Sequence, residues 1–283
     1  MAGSGVSVSR VDSADDPRVG DYGIIKDRDA LRERGVFIAE GRLVVERLLS
    51  PACRFRVRSL LLQEERFESM RETIETRAAR SGPFEVMVAT KKMMEEVVGF
   101  RFHQGCLGAG VIEEDPGTEW LLSRIGEGPL VVLEGLVDLD NVGSVFRNAA
   151  ALGAAGVVLS PDCAPPLYRK SIRTSMGHAL LLPFARAREW PREFEVLRAA
   201  GFEVLALTPS EDARDLRATV GGMARGKRAA LLLGAEGGGL TREAMVAADA
   251  RVRIPMAAGV DSVNVATAAA IAMYEAATRE GGA

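Results

Sequence analysis

Apolar positions along the chain fall into two rhythms, and the rhythms change near residue 112. In GVFIAEGRLVVERLLS a short apolar run gives way to helical spacing, which predicts a strand turning into a helix. ACRFRVRSLLLQ alternates Arg54, Arg56 and Arg58 with Phe55 and Val57, the period-2 pattern of a strand. The charged stretch ERFESMRETIETRAARSG predicts a helix, FEVMVAT a strand and KKMMEEVVG a second helix. Together these predict a small α/β module over residues 21–112. The acidic stretch that follows, broken by Pro116 and Gly117, reads as a linker over 113–128.

Beyond it the alternation is regular over 129–283. PLVVLEGL, GVVLSP, FEVLALTP, RAALLLGAEG and VRIPM read as strands, with helical stretches between them and a long Ala-rich helix at the end. That order predicts an α/β fold whose mostly parallel sheet is covered by helices on both faces. Such sheets bind ligands beyond the carboxyl ends of their strands. The loops after Leu136, Leu159, Leu207, Leu233 and Ile254 are therefore where chemistry is expected.

Composition narrows the function classes. The chain has 283 residues, 47% hydrophobic and 27% charged, as in ordinary globular proteins. The first twenty residues are rich in Ser, Gly and Asp and are expected to form a disordered leader. The longest uncharged stretch, 148–161, falls short of the roughly 20 residues a membrane helix needs, so no membrane partner is expected. Cys53, Cys106 and Cys163 lie far apart, and His103 and His178 are the only histidines, so no metal site is expected. The odd cysteine count fits a reducing cytoplasm.

Net charge is −3, slightly basic over 21–112 and acidic beyond, so a nucleic-acid partner would have to be held by local basic patches. Two stand out. One is Arg54, Arg56 and Arg58, which an exposed edge strand would explain equally well. The other is APPLYRKSIRTSMGH, with Arg169, Lys170 and Arg173.

Three strand ends carry the candidate chemistry. In DLDNVGSVFRNAAALGA, Val142, Val145, Phe146, Ala149 and Ala150 define a buried helical face, with Asn141 before it and Arg147 off it. Asp140 and Asn141 acting as helix caps, with Arg147 merely solvated, is the plain alternative. LLLGAEGGGLTREAM has crowded glycines but not the G-x-G-x-x-G spacing, and Glu236 stands where a pyrophosphate would need amide donors. In RIPMAAGVDSVNVATAAAIAMYEAA, Ser262 and Asn264 stand at a helix mouth, where Ser262 could be the N-cap.

Taken in order, these three stretches resemble the SpoU (TrmH-like) branch of the SPOUT RNA methyltransferases over residues 129–276. Upstream, VFIAEGRLVVERLL and FHQGCLGAGV resemble that family's ribosomal-protein-like substrate-binding domain. Val263 stands where the family usually has leucine, and Ala266 where it often has serine. The resemblance implies a trefoil-knotted parallel-sheet domain binding S-adenosyl-L-methionine. It implies a homodimer formed through that domain and methyl transfer to a ribose 2′-hydroxyl of RNA, rRNA rather than tRNA. It places Asn141, Arg147, Glu236, Ser262 and Asn264 in the catalytic set. Thr208, Leu233, Gly234, Ile254, Met256 and Val263 match the cofactor positions. By family the motif-one arginine, here Arg147, is assigned as base, whereas a guanidinium is chemically better suited to clamping a phosphate or steadying an alkoxide. Two other readings are an RNA-binding assembly factor without activity and a base methyltransferase. A nicotinamide-dependent enzyme is disfavoured by the glycine spacing.

Overall fold

The computed structural model describes residues 6–280. The chain divides into two compact units. The first runs to Glu114 and takes in Leu167–Leu181; the second comprises Asp115–Pro166 and the chain from Leu182 onward.

The first unit is built on a five-stranded sheet: β1 (Val6–Arg10), β2 (Val36–Glu40), β3 (Val57–Leu62), β4 (Phe84–Val88) and β5 (Cys106–Val111). Its order is β1-β4-β3-β5-β2, with β1, β4 and β3 parallel and β5 antiparallel to both its neighbours. Tyr22, Ile25, Leu61, Met87 and Phe102 fill one core under it. Burial pushes the Tyr22 phenol well above its ordinary value, opposed by a 2.9 Å hydrogen bond with Ser59 Oγ. It likewise raises the Cys106 thiol to about 12, so this cysteine packs as a small apolar group.

Three expectations are corrected here. Residues 6–20 are ordered rather than a disordered leader: VSVSR forms β1, its backbone paired in parallel with β4, and Pro17–Val19 forms a 3-10 turn. Residues 1–5 lie outside the described residues. The strand expected from Arg54 starts at Val57, and β3 lies in the middle of the sheet, so edge protection does not explain the arginines. The segment Leu167–Leu181 belongs to the first unit although it lies in the middle of the expected C-terminal domain. Its helix Arg169–Thr174 packs on β2, with Ile172, Ala179 and Leu180 buried.

The second unit carries seven strands: β6 (Leu130–Leu133), β7 (Gly156–Leu159), β8 (Phe184–Arg186), β9 (Phe202–Leu207), β10 (Arg214–Asp215), β11 (Arg228–Leu233) and β12 (Ala250–Arg253). All are parallel, in the order β10-β12-β9-β11-β6-β7-β8. Parallel strands buried on both faces read as continuous apolar runs, and the four residues of β6 and of β7 are all buried. The stretch expected as a linker holds the helix Thr118–Leu122, whose Leu121 is fully buried in this core.

Because every strand runs the same way, their carboxyl ends share one edge. Chain order and spatial order part company there: β7 and β8 lie on one side of β6, while β11, β9 and β12 lie on the other. That reversal is where parallel sheets leave a crevice for ligands.

Candidate active site

Three loops from neighbouring strands form the site, and the turn after β6 comes first. Asp138 caps the helix Leu139–Ala151, its Oδ1 accepting from the backbone N–H groups of Asp140 and Asn141, both at 2.9 Å. The cap is thus Asp138 rather than Asp140 or Asn141, which frees the Asn141 side chain. Val142, Val145, Phe146 and Ala149 bury one face of this helix completely. Asn141 and Asn148, seven residues apart, lie on a common face, and Asn148 Nδ2 donates to Ala266 O at 2.9 Å.

The second loop follows β11. A Cβ at Gly234 would stand 2.3 Å from the carbonyl carbon of Gly239 and 2.5 Å from Leu240 N. The loop therefore closes on its own backbone, with Gly239 N donating to Ala235 O at 2.9 Å and the exposed Glu236 near its tip. The third loop, after β12, ends at Asn264. Its Oδ1 accepts from Ala266 N at 2.9 Å and from Thr267 N at 3.4 Å, so Asn264, not Ser262, caps the helix Val265–Glu280.

Asn264 also joins the three loops. Its Nδ2 donates to Asn141 Oδ1 and to Glu236 Oε1, each at 2.9 Å. That uses both amide hydrogens and leaves Asn141 Nδ2 and Glu236 Oε2 without a hydrogen-bond partner among the described residues, one donor and one acceptor available to a ligand. Of the five expected catalytic residues, the structure brings together Asn141, Glu236 and Asn264. Arg147 is exposed on the Leu139–Ala151 helix, and Ser262 is exposed in its loop. Neither has a hydrogen bond or ion pair among the described residues.

The expected cofactor positions cluster on the same edge. Leu233 is buried, whereas Thr208, Gly234, Ile254 and Met256 are half-buried just beyond the ends of the adjacent strands β9, β11 and β12, and Val263 is half-buried before the last helix. Thr208 N donates to Val252 O at 2.9 Å, tying two of those strand ends together. Half-buried apolar side chains suit an adenosyl group, and a carboxylate at the loop tip suits a cationic sulfonium rather than a pyrophosphate. The residues present therefore fit S-adenosylmethionine.

The six expected RNA contacts fare unequally. Arg58 Nε is held at 2.8 Å by Asp21, and Arg54 lies with its guanidinium 4.8 Å over the Phe55 ring. Arg169 is mostly buried, with Nε 2.6 Å from Glu40, and is better described as a strut of the first unit than as a free phosphate ligand. Lys170 is half-buried. Arg56 and Arg173 are exposed, without a hydrogen bond or ion pair among the described residues.

The motifs did not single out Glu134, a buried carboxylate ending β6, or its partners Trp190 and Thr241. One signal was present: Glu134 is the lone charge in the apolar run PLVVLEGLV. Among the described residues no group of three or more His, Cys, Asp and Glu is placed to hold a metal, and no helix is long and apolar enough to cross a membrane. Burial raises the Cys163 thiol, making it a packing group beside the site.

A parallel sheet whose strand-end loops bring a carboxylate, two amides and a glycine turn together at its topological switch has the arrangement in which α/β enzymes hold a small cationic or polar ligand. Residues 128–274 match the SpoU rRNA Methylase family, and the chain belongs to it. It is 42% identical to an uncharacterised tRNA/rRNA methyltransferase of Mycobacterium bovis, over 98% of this chain and 94% of that one. It is 28% identical to the 23S rRNA (guanosine-2′-O-)-methyltransferase RlmB of Shewanella oneidensis, over 82% of this chain and 93% of that one. The structure superposes on an AdoMet-bound rRNA methyltransferase from Sinorhizobium meliloti with a TM-score of 0.78 at 27% identity, covering 96% and 98% of the two chains. The protein is an RNA methyltransferase with S-adenosylmethionine as its cofactor.

Proposed function

We propose that this protein methylates a ribose 2′-hydroxyl of ribosomal RNA in the cytoplasm, working as a homodimer through its second unit. The observation that carries the reading is the Asn141–Asn264–Glu236 set, which joins three strand-end loops and leaves polar atoms idle. The RlmB relative, named for guanosine 2′-O-methylation of 23S rRNA, supports both ribose and rRNA. The knot implied by the resemblance would lie at the carboxyl edge, in the loops after β11 and β12. Such threading is rare.

Bound S-adenosylmethionine supplies an electrophilic methyl group. The chain's own residues have three tasks. Asn141 Nδ2 and Glu236 Oε2 orient polar groups of donor and acceptor, bringing the hydroxyl into line. Arg147, unpaired and permanently cationic, clamps an RNA phosphate or steadies the developing alkoxide. Ser262 offers a hydroxyl that accepts or relays the departing proton. Leu233, Ile254, Met256 and Val263 keep water from the adenosyl side. Arg56 and Arg173 are the residues of the two basic patches best able to take phosphates, with Arg54, Arg58 and Lys170 as weaker contributors.

The test is methyl transfer from labelled S-adenosylmethionine to unmodified rRNA and tRNA, with the label traced to its nucleoside. A 2′-O-methyl nucleoside in rRNA is expected. Arg147→Ala should slow transfer about 10²- to 10³-fold while leaving S-adenosylmethionine binding intact. A methylated base instead of a ribose, or label confined to tRNA, would overturn the corresponding half of the reading.

A further inference from the structure

Glu134 is a buried carboxylate, 4% exposed, with no cation paired to it among the described residues. Burying such a charge is costly unless hydrogen bonds replace water. Here three do. Oε1 accepts from Trp190 Nε1 at 2.6 Å and from Thr241 Oγ1 at 2.7 Å, and Oε2 accepts from Thr241 N at 2.8 Å. Its own backbone N–H donates to Leu233 O at 2.9 Å, extending the β6–β11 ladder by one residue.

The donors come from two separate elements that pack into the same hydrophobic core. Thr241 is where the glycine loop leaves the site, capping the helix Arg242–Ala247 through its Oγ1, 3.1 Å from Ala244 N. Trp190 belongs to the loop after β8 and packs edge-on against Phe194, with ring centroids 5.0 Å apart. Glu134 itself immediately precedes the turn that leads to Asp138 and Asn141. One carboxylate thus pins the loops after β6, β8 and β11 at the edge where the site lies. Both ends of the glycine loop are then fixed: Leu233 at its start through the ladder, and Thr241 at its exit. Only the tip, with Glu236, is left to reach Asn264.

We infer that Glu134 is a positioning residue for the methyl-donor site: by accepting from Thr241 and Trp190 it holds the 234–240 loop in the closed shape that presents Glu236 to Asn264. This rests on the reading of that loop as part of the S-adenosylmethionine pocket. It assigns Trp190 a second property. As the indole donor to Glu134, Trp190 is an intrinsic fluorescent reporter of the loop, and Trp120 is the only other tryptophan to be removed.

The experiment uses the full chain carrying Trp120→Phe, with and without Glu134→Gln. Gln keeps the size of Glu but turns an amide donor toward at least one of the three donors, leaving it unmatched. S-adenosylmethionine is titrated calorimetrically and by Trp190 emission, and KM is measured separately for S-adenosylmethionine and for RNA. Glu134→Gln is expected to raise Kd and KM for S-adenosylmethionine about tenfold, the usual cost of one unmatched buried donor. KM for RNA should stay unchanged, and the ligand-induced change in Trp190 emission should be lost. A folded Glu134→Gln protein with unchanged affinity for S-adenosylmethionine would overturn the proposal, as would equal losses in both KM values with a lowered melting temperature. Should Glu134→Gln not fold, Trp190→Phe carries the same test by calorimetry, deleting the N–H donor while keeping an aromatic ring against Phe194. A several-fold rise in Kd for S-adenosylmethionine then supports the proposal, and no change overturns it. Failure of the unsubstituted protein to bind S-adenosylmethionine would instead overturn the reading beneath it.

Discussion

The buried carboxylates of the first sheet and the polar groups at the carboxyl edge of the second are held in opposite ways. In the first unit, Asp21, nearly buried, takes Arg58 at 2.8 Å and Arg34 at 3.2 Å, and Glu40 takes Arg169 at 2.6 Å, with Arg56 and Arg173 left outside these pairs. In the second unit, the carboxyl edge of the parallel sheet keeps Arg147 and Ser262 without partners among the described residues, and Asn141 and Glu236 only half engaged. Settled charges fix shape and contribute little else. Polar groups held in place but left idle mark where a ligand completes the bonding. A chemically rich sequence patch such as CRFRVR is therefore a weaker pointer to function than a sparse one such as DNVGSVFR.

That contrast can be broken most sharply at Gly234. Gly234→Ala drives a methyl group into the Gly239 carbonyl and should cut S-adenosylmethionine affinity about 10²-fold in calorimetry, with the first unit's spectroscopic signature intact. If affinity survives, the closed loop is not the ligand's wall. Asn264 comes next, because it is both structural and chemical. Asn264→Ala should destabilise the protein by about 1 kcal/mol in chemical denaturation through loss of the helix cap, and also slow methyl transfer. Asn264→Asp should retain the cap and its stability while losing the amide hydrogens that reach Asn141 and Glu236. Transfer at the wild-type rate in the Asp variant would refute the linking role. The smallest effect separates Arg56 from Arg58. Arg56→Ala should weaken RNA binding and lower its salt-dependence slope by about one, whereas Arg58→Ala should do less because Asp21 already holds that side chain. Equal effects would mean that ion pairing within the first unit does not withhold arginines from RNA.

Much of this was legible in the sequence, and the misses have physical causes. The strands of the second unit with continuous apolar runs were found because burial on both faces leaves no polar alternation to confuse. β8 and β10 were not, since three and two residues carry no pattern and exist only because a neighbouring strand completes their hydrogen bonds. VSVSR alternates as a strand should, but its Ser and Gly surroundings suggested disorder, and its pairing with β4 outweighs that propensity. Ser262 and Asn264 are both good caps. Which of them starts the helix is decided by a contact 123 residues away in sequence, with Asn141. Glu134 escaped notice because its partners lie 56 and 107 residues further along the chain.

The segment Leu167–Leu181 has a consequence for how the protein comes into being. Gly177 sits against Val44 and Arg47, with Arg47 bonded to the carbonyl of Met176, so the first unit is finished by residues that the ribosome delivers long after Glu114 has emerged. Domains ordinarily fold one after another as they leave the exit tunnel. Here the earlier one must wait, with the surface facing β2 uncovered, while β6 and β7 of the later one are already being made. A gene fragment cut after Glu114 would encode an unfinished module prone to self-association, and the smallest independently expressible piece containing it ends beyond Leu181.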